Sequence, residues 1–501
     1  MDKAVDNLTP LLAGVRTFVG RTHGLFIDGD WRALDGKDRL AVYDPANGAK
    51  IASVVNASGD DVDRAVRSAH DAFEAGVWSG LAPAERERIL LRFADLVEAH
   101  AEELAQIETL NQGKSINIAR YVDIGGAPAY MRYIAGLSTK LHGETFDVSI
   151  GAVPGARYNA YTRREPVGVV GAIAPWNFPM MIGLWKIMPA LAAGCTVVLK
   201  PSEVTPLTSL RLVELAHQAG LPAGALNVIT GDGRTGQALV DHPLISKITF
   251  TGSTATGKAI ARSAADRMLR TSLELGGKNP AIFLADAPIE KAVQGAVVGG
   301  FFNNGQVCAA ASRLYVDRTI YEPFVAALSE AVRGMSMGPG LDPGAQINPV
   351  VSAQHRDKIL GHIDQARRDG ARVVAGGQRP DRPGYYVEPT VIVDAAPQLA
   401  ISRLEVFGPL VTVTPFDSED EAIALANDSP MGLTASLWTN DLNKTMAYIP
   451  RLKAGTVWVN THNMIDPNMP FGGYKESGVG RDFGIHSLDS YTEVKSVCIA
   501  Y

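Results

Sequence analysis

From Asp60 to about Asn111, apolar residues recur at helical spacing among acids and bases, as in ERERILLRFADLVEAHAEELAQIE, a run with few helix breakers. The pattern predicts solvated amphipathic helices. Beyond Gly143 the text ETFDVSIGAVPGARYNAYTRREPVGVV is strand-like with Gly and Pro corners, so sheet is expected to replace helix. Short apolar runs then alternate with helical text: VGVVGAIAP, CTVVLKP, LNVITG and KITFTGS each run into Gly or Pro and are separated by segments such as TSLRLVELAHQAG. That rhythm predicts a parallel sheet with crossover helices. A second series starting near Thr271 includes NPAIFLAD, SRLYVDR, ARVVAGG, PTVIVD and TVWVN, so two α/β lobes are expected rather than one continuous sheet. The Gly/Pro-rich stretch 334–349 reads as a surface loop.

At 501 residues the chain is long enough for two or three substructures around a large core. Its 47 basic and 53 acidic side chains are spread without long runs and give a formal charge of −6, which argues against nucleic acid or an acidic membrane surface as the main partner. The most apolar runs are short and interrupted by Gly or Pro, so no membrane span is expected, and the acid-containing N-terminus does not read as a secretory signal. Cys195, Cys308 and Cys498 are far apart and lack metal-site spacing, so neither a disulfide scaffold nor a metal is expected, and a cytoplasmic location fits.

Two glycine motifs invite a nucleotide reading. The run from Gly231 through Gly233 to Gly236 matches GxGxxG after an apolar strand, yet lacks the acid expected about 20 positions on. The run Gly252 to Lys258 resembles a phosphate loop, but Ala259 stands where a magnesium-binding hydroxyl belongs. Either could be an ordinary strand-to-helix turn or could hold a pyrophosphate on backbone N–H groups. Lys200 and Glu203, just past the strand CTVVL, could grip ribose hydroxyls or simply be solvated at a strand exit.

The cysteines differ in kind. Cys195, in an apolar strand, reads as an inert core residue, and Cys498 is given the same reading. Cys308 follows the polar, turn-forming run Asn303-Asn304-Gly305-Gln306, which would bring its thiol to the mouth of a cleft. A thiolate attacks carbonyl carbon, needs a base to form it, and leaves an oxyanion that needs donors. Glu274 in LELGGK and the amide of Asn177 in PWNFP are candidates for those roles. A Cys-His hydrolase is the obvious rival, but none of the ten histidines sits in a recognisable partner motif.

Taken together, PWNFP (175–179), KPSEVTP (200–206), FTGST (250–254), LELGGKNP (273–280), GQVC (305–308), EVFGP (405–409) and PFGGYKESGVGRD (470–482) resemble the aldehyde dehydrogenase superfamily, in order and over nearly the whole chain. GQVCAAASR and IDPNMPFGG look most like its members that oxidise phenylacetaldehyde. The resemblance implies an α/β fold of two Rossmann-like lobes plus a small β oligomerisation element. Its spans are an N-terminal arm at 1–19, an NAD-binding domain at 20–140 and 163–273, a catalytic domain at 274–485, and the oligomerisation element at 141–162 and 486–501. A homodimer or homotetramer follows.

It further implies that Cys308 is the nucleophile, that Asn177 and the Cys308 N–H form the oxyanion hole, that Glu274 activates the hydrolytic water, and that Lys186 steadies the active-site water. Coenzyme A-acylating relatives generally lack that glutamate, so water is the implied acceptor and a free acid the product. NAD is the implied cofactor, with Lys200 and Glu203 on the adenosine ribose, Ser253 on the pyrophosphate, and Glu405 on the nicotinamide ribose beside Phe407. An acid near the 2′-hydroxyl would repel a 2′-phosphate, which favours NAD over NADP. Ala174, Pro175, Trp176, Ser202, Gly233, Gly236, Phe250, Thr251, Gly252, Thr256 and Leu275 complete the implied cofactor set. Two departures stand out: Leu404-Glu405 replaces the usual acidic pair, and Asn303-Asn304 stands where Asn-Gln is frequent.

Phe178, Met181, Trp185, Phe302, Val307, Met464, Ile465 and Phe471 are the implied walls of an apolar substrate tunnel, although Phe302 and Met464 would serve equally well as core. Aromatic walls suit an aryl aldehyde. They also attract quaternary ammonium, so betaine aldehyde stays open alongside a broad aliphatic substrate range. The lack of an arginine weighs against a semialdehyde carrying a carboxylate. The rivals of another class are a non-catalytic protein that has kept the fold and a cofactor-free esterase using Cys308.

Overall fold

The computed structural model describes residues 8–32, 36–150 and 154–501; residues 1–7 of the expected arm and 151–153 of the expected oligomerisation element lie outside the described residues. The first sheet has five parallel strands at its centre, in the order Arg270–Glu274, Lys247–Thr251, Val169–Ile173, Thr196–Lys200 and Leu226–Val228. The antiparallel strands Gly478–Val479 and Phe26–Ile27 flank it, with Asp30–Trp31 outermost. Its central strands are almost wholly buried, as parallel strands covered on both faces must be. One expectation is corrected here. The text near Thr271 does not open the second series, because Arg270–Glu274 pairs in parallel with Lys247–Thr251 and closes the first sheet.

The second sheet has seven strands in the order Arg372–Ala375, Thr390–Val393, Leu410–Phe416, Ala311–Asp317, Asn279–Phe283, Thr434–Trp438 and Thr456–Val459; only Arg372–Ala375 pairs antiparallel. A third, antiparallel sheet pairs Thr492–Ala500 with Tyr158–Pro166 along nine residues, and Thr145–Phe146 adds the outer strand. Cys498 lies on this sheet and is exposed, which corrects its reading as core. Beyond Thr492 no residue of that strand is buried, so it lies uncovered on both faces.

Helices Gly59–Glu74, Pro83–Ala99 and Ala101–Gln112 occupy the region of helical periodicity. Ser58 starts the first with a capping box, its hydroxyl accepting from the Asp61 N–H while the Asp61 carboxylate accepts from the Ser58 N–H. Helix Pro179–Ala193 is apolar except for Lys186 and buried except at Met181, the combination expected of a helix at the centre of a large core. Stretch 334–349 is irregular, but its inner side is not surface. Ile347 and Asn348 are buried, and Gly340 packs so tightly that a Cβ there would lie 2.2 Å from the Lys114 carbonyl oxygen. No helix among the described residues is long and apolar enough to cross a membrane.

After strand Thr456–Val459 the chain crosses back over the first lobe. Phe471 and Asp482 exchange two backbone hydrogen bonds, Tyr474–Lys475 pairs with Met431–Gly432, and Gly478–Val479 joins the edge of the first sheet. A buried ion pair, Lys186 Nζ to Asp482 Oδ2 at 2.7 Å, pins this return segment to helix Pro179–Ala193. Asp482→Asn removes the counter-charge and leaves the lysine buried. Loss of about 3–5 kcal/mol of stability is expected, measured as a lower unfolding midpoint.

Candidate active site

The first sheet delivers its polar residues at the carboxyl ends of its strands, where open α/β sheets bind ligands. Lys200, Thr251 and Glu274 are the last residues of their strands, and Ala174 through Asn177 follow directly on Val169–Ile173. Cys308 comes from the other lobe, in the segment entering strand Ala311–Asp317. The two lobes meet on the thiol.

Asn303, Asn304 and Gly305 form a consecutive left-handed run (φ 46°, 58° and 68°) just ahead of Cys308. Asparagine tolerates this conformation and glycine does so freely. The Asn303-Asn304 departure therefore has a local reason: a second asparagine suits the bend. The bend is then clamped on all sides. Asn304 Oδ1 accepts from the Asn348 N–H at 2.8 Å, Gln306 Oε1 accepts from the Val351 N–H at 3.0 Å, and Asn303 Nδ2 donates to the Asn177 carbonyl at 3.1 Å. Past the thiol, Asn279 Nδ2 donates to the carbonyls of Cys308 (2.7 Å) and Ala310 (3.0 Å), and His462 Nε2 donates to that of Ala309 (2.8 Å).

Asn177 is buried and donates from Nδ2 to the Gln306 carbonyl at 3.0 Å. Its amide is thus fixed two residues from the cysteine with a second N–H proton to spare. The Cys308 backbone N–H makes no hydrogen bond to another described residue. Burial, then the Glu405 and Glu274 carboxylates, push the thiol up to about 12.

Glu274 is buried and neither of its oxygens has a hydrogen-bond partner among the described residues. It lies against Gly472, where a Cβ would come within 2.7 Å of Oε1. Burial and then the Asp482 carboxylate raise it well above the usual carboxylate range, opposed by Lys186 and Arg481. Lys186 therefore does not touch Glu274; it holds Asp482 beside it.

Two cavities open on Cys308, the one residue they share. One, of about 380 Å³, is lined by Phe178, Met181, Trp185, Phe302, Val307, Met464, Ile465 and Phe471, so all eight residues named for the tunnel come together. Tyr121, Val122, Tyr130, Asn463 and Phe483 also line it and were not foreseen; no charged side chain among the described residues does. Its rings interlock: Trp185 meets Phe483 edge-on at 4.6 Å, and Phe178 stacks on Phe302 at 6.3 Å.

The other cavity, of about 230 Å³, collects Pro175, Trp176, Thr251, Gly252, Ser253, Leu275, Glu405 and Phe407 around Asn177 and Cys308, together with the unforeseen His355 and Lys358. Trp176 packs edge-on against both Phe407 (5.2 Å) and His355 (5.1 Å), and His355 Nε2 donates to the Phe407 carbonyl at 2.7 Å. Burial pulls His355 down to about 4. Glu405 accepts the Gly277 N–H on Oε1 at 3.0 Å, and burial raises it to about 7.

The remaining implied cofactor residues do not line this cavity. Ala174 and Phe250 are buried in or beside the strands, and Ser202 is buried at the strand exit. Lys200 and Glu203 pair at 3.7 Å, with Gly236 packed on the lysine stem. Thr256 is tied to Ser253, whose hydroxyl caps helix Thr254–Ala265. Gly233 opens a helix capped by Asp232, whose carboxylate also pairs with Arg234. An acid already fills that helix N-terminus, which explains physically why the GxGxxG match is weak. Lys258 likewise pairs with Glu476 at 2.8 Å.

Comparison with known proteins bears on this geometry. A phenylacetaldehyde dehydrogenase of Pseudomonas fluorescens is 47% identical over 98% of each chain. Among solved structures, an aldehyde dehydrogenase of Bacillus cereus in complex with NAD+ matches with a TM-score of 0.95 and 43% identity over 98% of this chain and 99% of that one. A betaine aldehyde dehydrogenase of Staphylococcus aureus matches with a TM-score of 0.94 and 38% identity over 98% and 97%. The aldehyde dehydrogenase family model aligns with residues 31–497, taking in both lobes, the shared thiol and both cavities, and the chain belongs to that family.

Proposed function

We propose that this enzyme oxidises an arylacetaldehyde, phenylacetaldehyde or a close analogue, to the free carboxylic acid with NAD as hydride acceptor. The observation that carries this reading is the position of Cys308 between an uncharged, aromatic-walled cavity and a second cavity rich in hydrogen-bonding groups. A benzyl group gains burial and edge-to-face contacts in the first. The phenylacetaldehyde dehydrogenase relative supports that substrate class.

The second cavity fits a dinucleotide. Glu405 keeps Oε2 available after Gly277 takes Oε1, which suits a ribose hydroxyl, with Trp176, Phe407 and His355 beside it. Ser253 opens helix Thr254–Ala265, whose N-terminal N–H groups suit a pyrophosphate. Lys200 and Glu203 suit the second ribose, and an acid there disfavours a 2′-phosphate. NAD, when bound, supplies the two-electron acceptor.

Cys308 gives its proton to Glu274, which releases it to solvent before hydrolysis, and its sulfur adds to the aldehyde carbon, while the carbonyl oxygen takes up charge against the spare Asn177 N–H and the Cys308 N–H. Loss of hydride from that carbon leaves a thioester on the sulfur. Glu274 then takes a proton from the attacking water, and the C–S bond breaks to release the acid. A carboxyl held well above its usual range is matched to that work near neutral pH. The antiparallel third sheet, with Phe146, Val494, Ile499 and Tyr501 exposed, supports pairing with another copy of the chain.

Four measurements check this reading. Cys308→Ala is expected to abolish NADH formation, and Glu274→Gln to give a burst followed by turnover reduced about 10²–10⁴-fold; phenylacetaldehyde should outrun succinic semialdehyde and betaine aldehyde in kcat/KM, and preference for either charged compound overturns the aryl assignment. In the cofactor-free enzyme, alkylation of Cys308 by iodoacetamide, counted apart from Cys498 by peptide mass spectrometry, should rise about tenfold per pH unit from 7 to 9, since its thiolate is scarce below about 12. A plateau by pH 8 contradicts that. Sedimentation is expected to give a dimer or tetramer, and a monomer would refute the pairing.

A further inference from the structure

The segment that closes the apolar cavity carries two left-handed asparagines, Asn460 (φ 55°) and Asn463 (φ 59°). Asn460 commits its amide fully, accepting the Thr439 N–H at 3.0 Å and donating to the Thr439 carbonyl at 2.8 Å. Asn463 commits nothing. Its amide oxygen and nitrogen are both shut off from solvent and meet no partner among the described residues, although the residue lines the cavity that ends on Cys308. Its flanks are fixed: His462 is tied to Ser436 and the Ala309 carbonyl, and the Trp458 indole donates to the Met464 carbonyl at 2.8 Å.

A buried polar group left unmet costs about 1–3 kcal/mol. The left-handed backbone alone does not explain accepting that cost, because glycine holds the same conformation with no amide to satisfy. Among the other hydrogen-bonding side chains in the wall, Tyr130 reaches the Trp185 carbonyl, both His462 nitrogens are used and Tyr121 is exposed, which leaves, apart from the reacting Cys308, only the Trp185 indole N–H, a group that can donate but not accept. With no charged residue in the lining, the matching ligand group is neutral.

We infer that the substrate is an arylacetaldehyde bearing a hydroxyl on its ring, and that Asn463 is the side chain that recognises it. The inference rests on the aryl reading above. A ring hydroxyl both donates and accepts, so it can satisfy either end of the amide. Both amide atoms lie beneath the wall's surface, so recognition requires the amide to turn toward the ligand about its soft terminal torsion.

The test compares kcat/KM for 3- and 4-hydroxyphenylacetaldehyde with the corresponding methyl compounds, which match them in volume. In the wild-type enzyme the better hydroxy isomer is expected to exceed its methyl counterpart by roughly 3–10-fold, mainly through KM, the effect of one net hydrogen bond. Asn463→Gly, which keeps the backbone conformation, should erase that ratio, and Asn463→Asp, which can still accept, should retain it. A wild-type ratio at or below one overturns the inference without any variant, and so does a ratio that survives in Asn463→Gly. Turnover of both compounds with no hydroxyl preference removes only this inference; no turnover of any arylacetaldehyde removes the aryl reading and this inference with it.

Discussion

Everything at this site depends on how closely the chain passes itself between Glu274 and Asn279. Glu274 ends a strand of the first sheet and Asn279 begins one of the second, so the crossing between lobes is four residues long. Two of those are glycines in contact with the reacting machinery. A Cβ on Gly276 would lie 2.2 Å from Glu405 Oε2, and one on Gly277 would lie 2.4 Å from the Cys308 carbonyl oxygen. The same short segment ties the parts together, with the Gly277 N–H on Glu405 and the Asn279 amide on the cysteine loop. No larger side chain fits at either position without moving the nucleophile loop or the acid.

The site is also costly to hold. Among the described residues Glu274 has no partner for either oxygen, and Lys278 is buried with no partner for its amine and pulled down to about 7 by burial and Arg313. Ahead of the thiol stands a left-handed run of three residues. Unmet polar groups and unusual backbone conformations persist only where the surroundings over-determine them. Here the fixed points are the hydrogen bonds from Asn279, Asn304, Gln306 and His462, all of them long-range in sequence.

Much of this was legible in the sequence because the information was local. Strand runs ending in Lys200 and Thr251 announced both the parallel sheet and residues at its carboxyl edge, and the tunnel-lining residues came with the family resemblance. What escaped was set by distance along the chain. Asp482 meets Lys186 across 296 positions, and no periodicity reports such a pairing. Tyr130 and Phe483 reach the tunnel from segments whose own patterns call only for ordinary packing, and His355 sits near the start of an unremarkable capped helix. Strand-like text at Arg270–Glu274 could not say which sheet it joins, since register belongs to the partner strand. Cys498 was misread because an apolar neighbourhood does not reveal that a strand lies uncovered on both faces.

The sharing of Cys308 by two separate cavities has a consequence for traffic. Trp185 and Phe471 line one of them, Trp176 and Glu405 the other. In the proposed reading the small organic molecule and the dinucleotide use different doors, so neither has to leave for the other to enter. The order in which products depart is then a matter of how tightly each is held, rather than of one blocking the exit of the other.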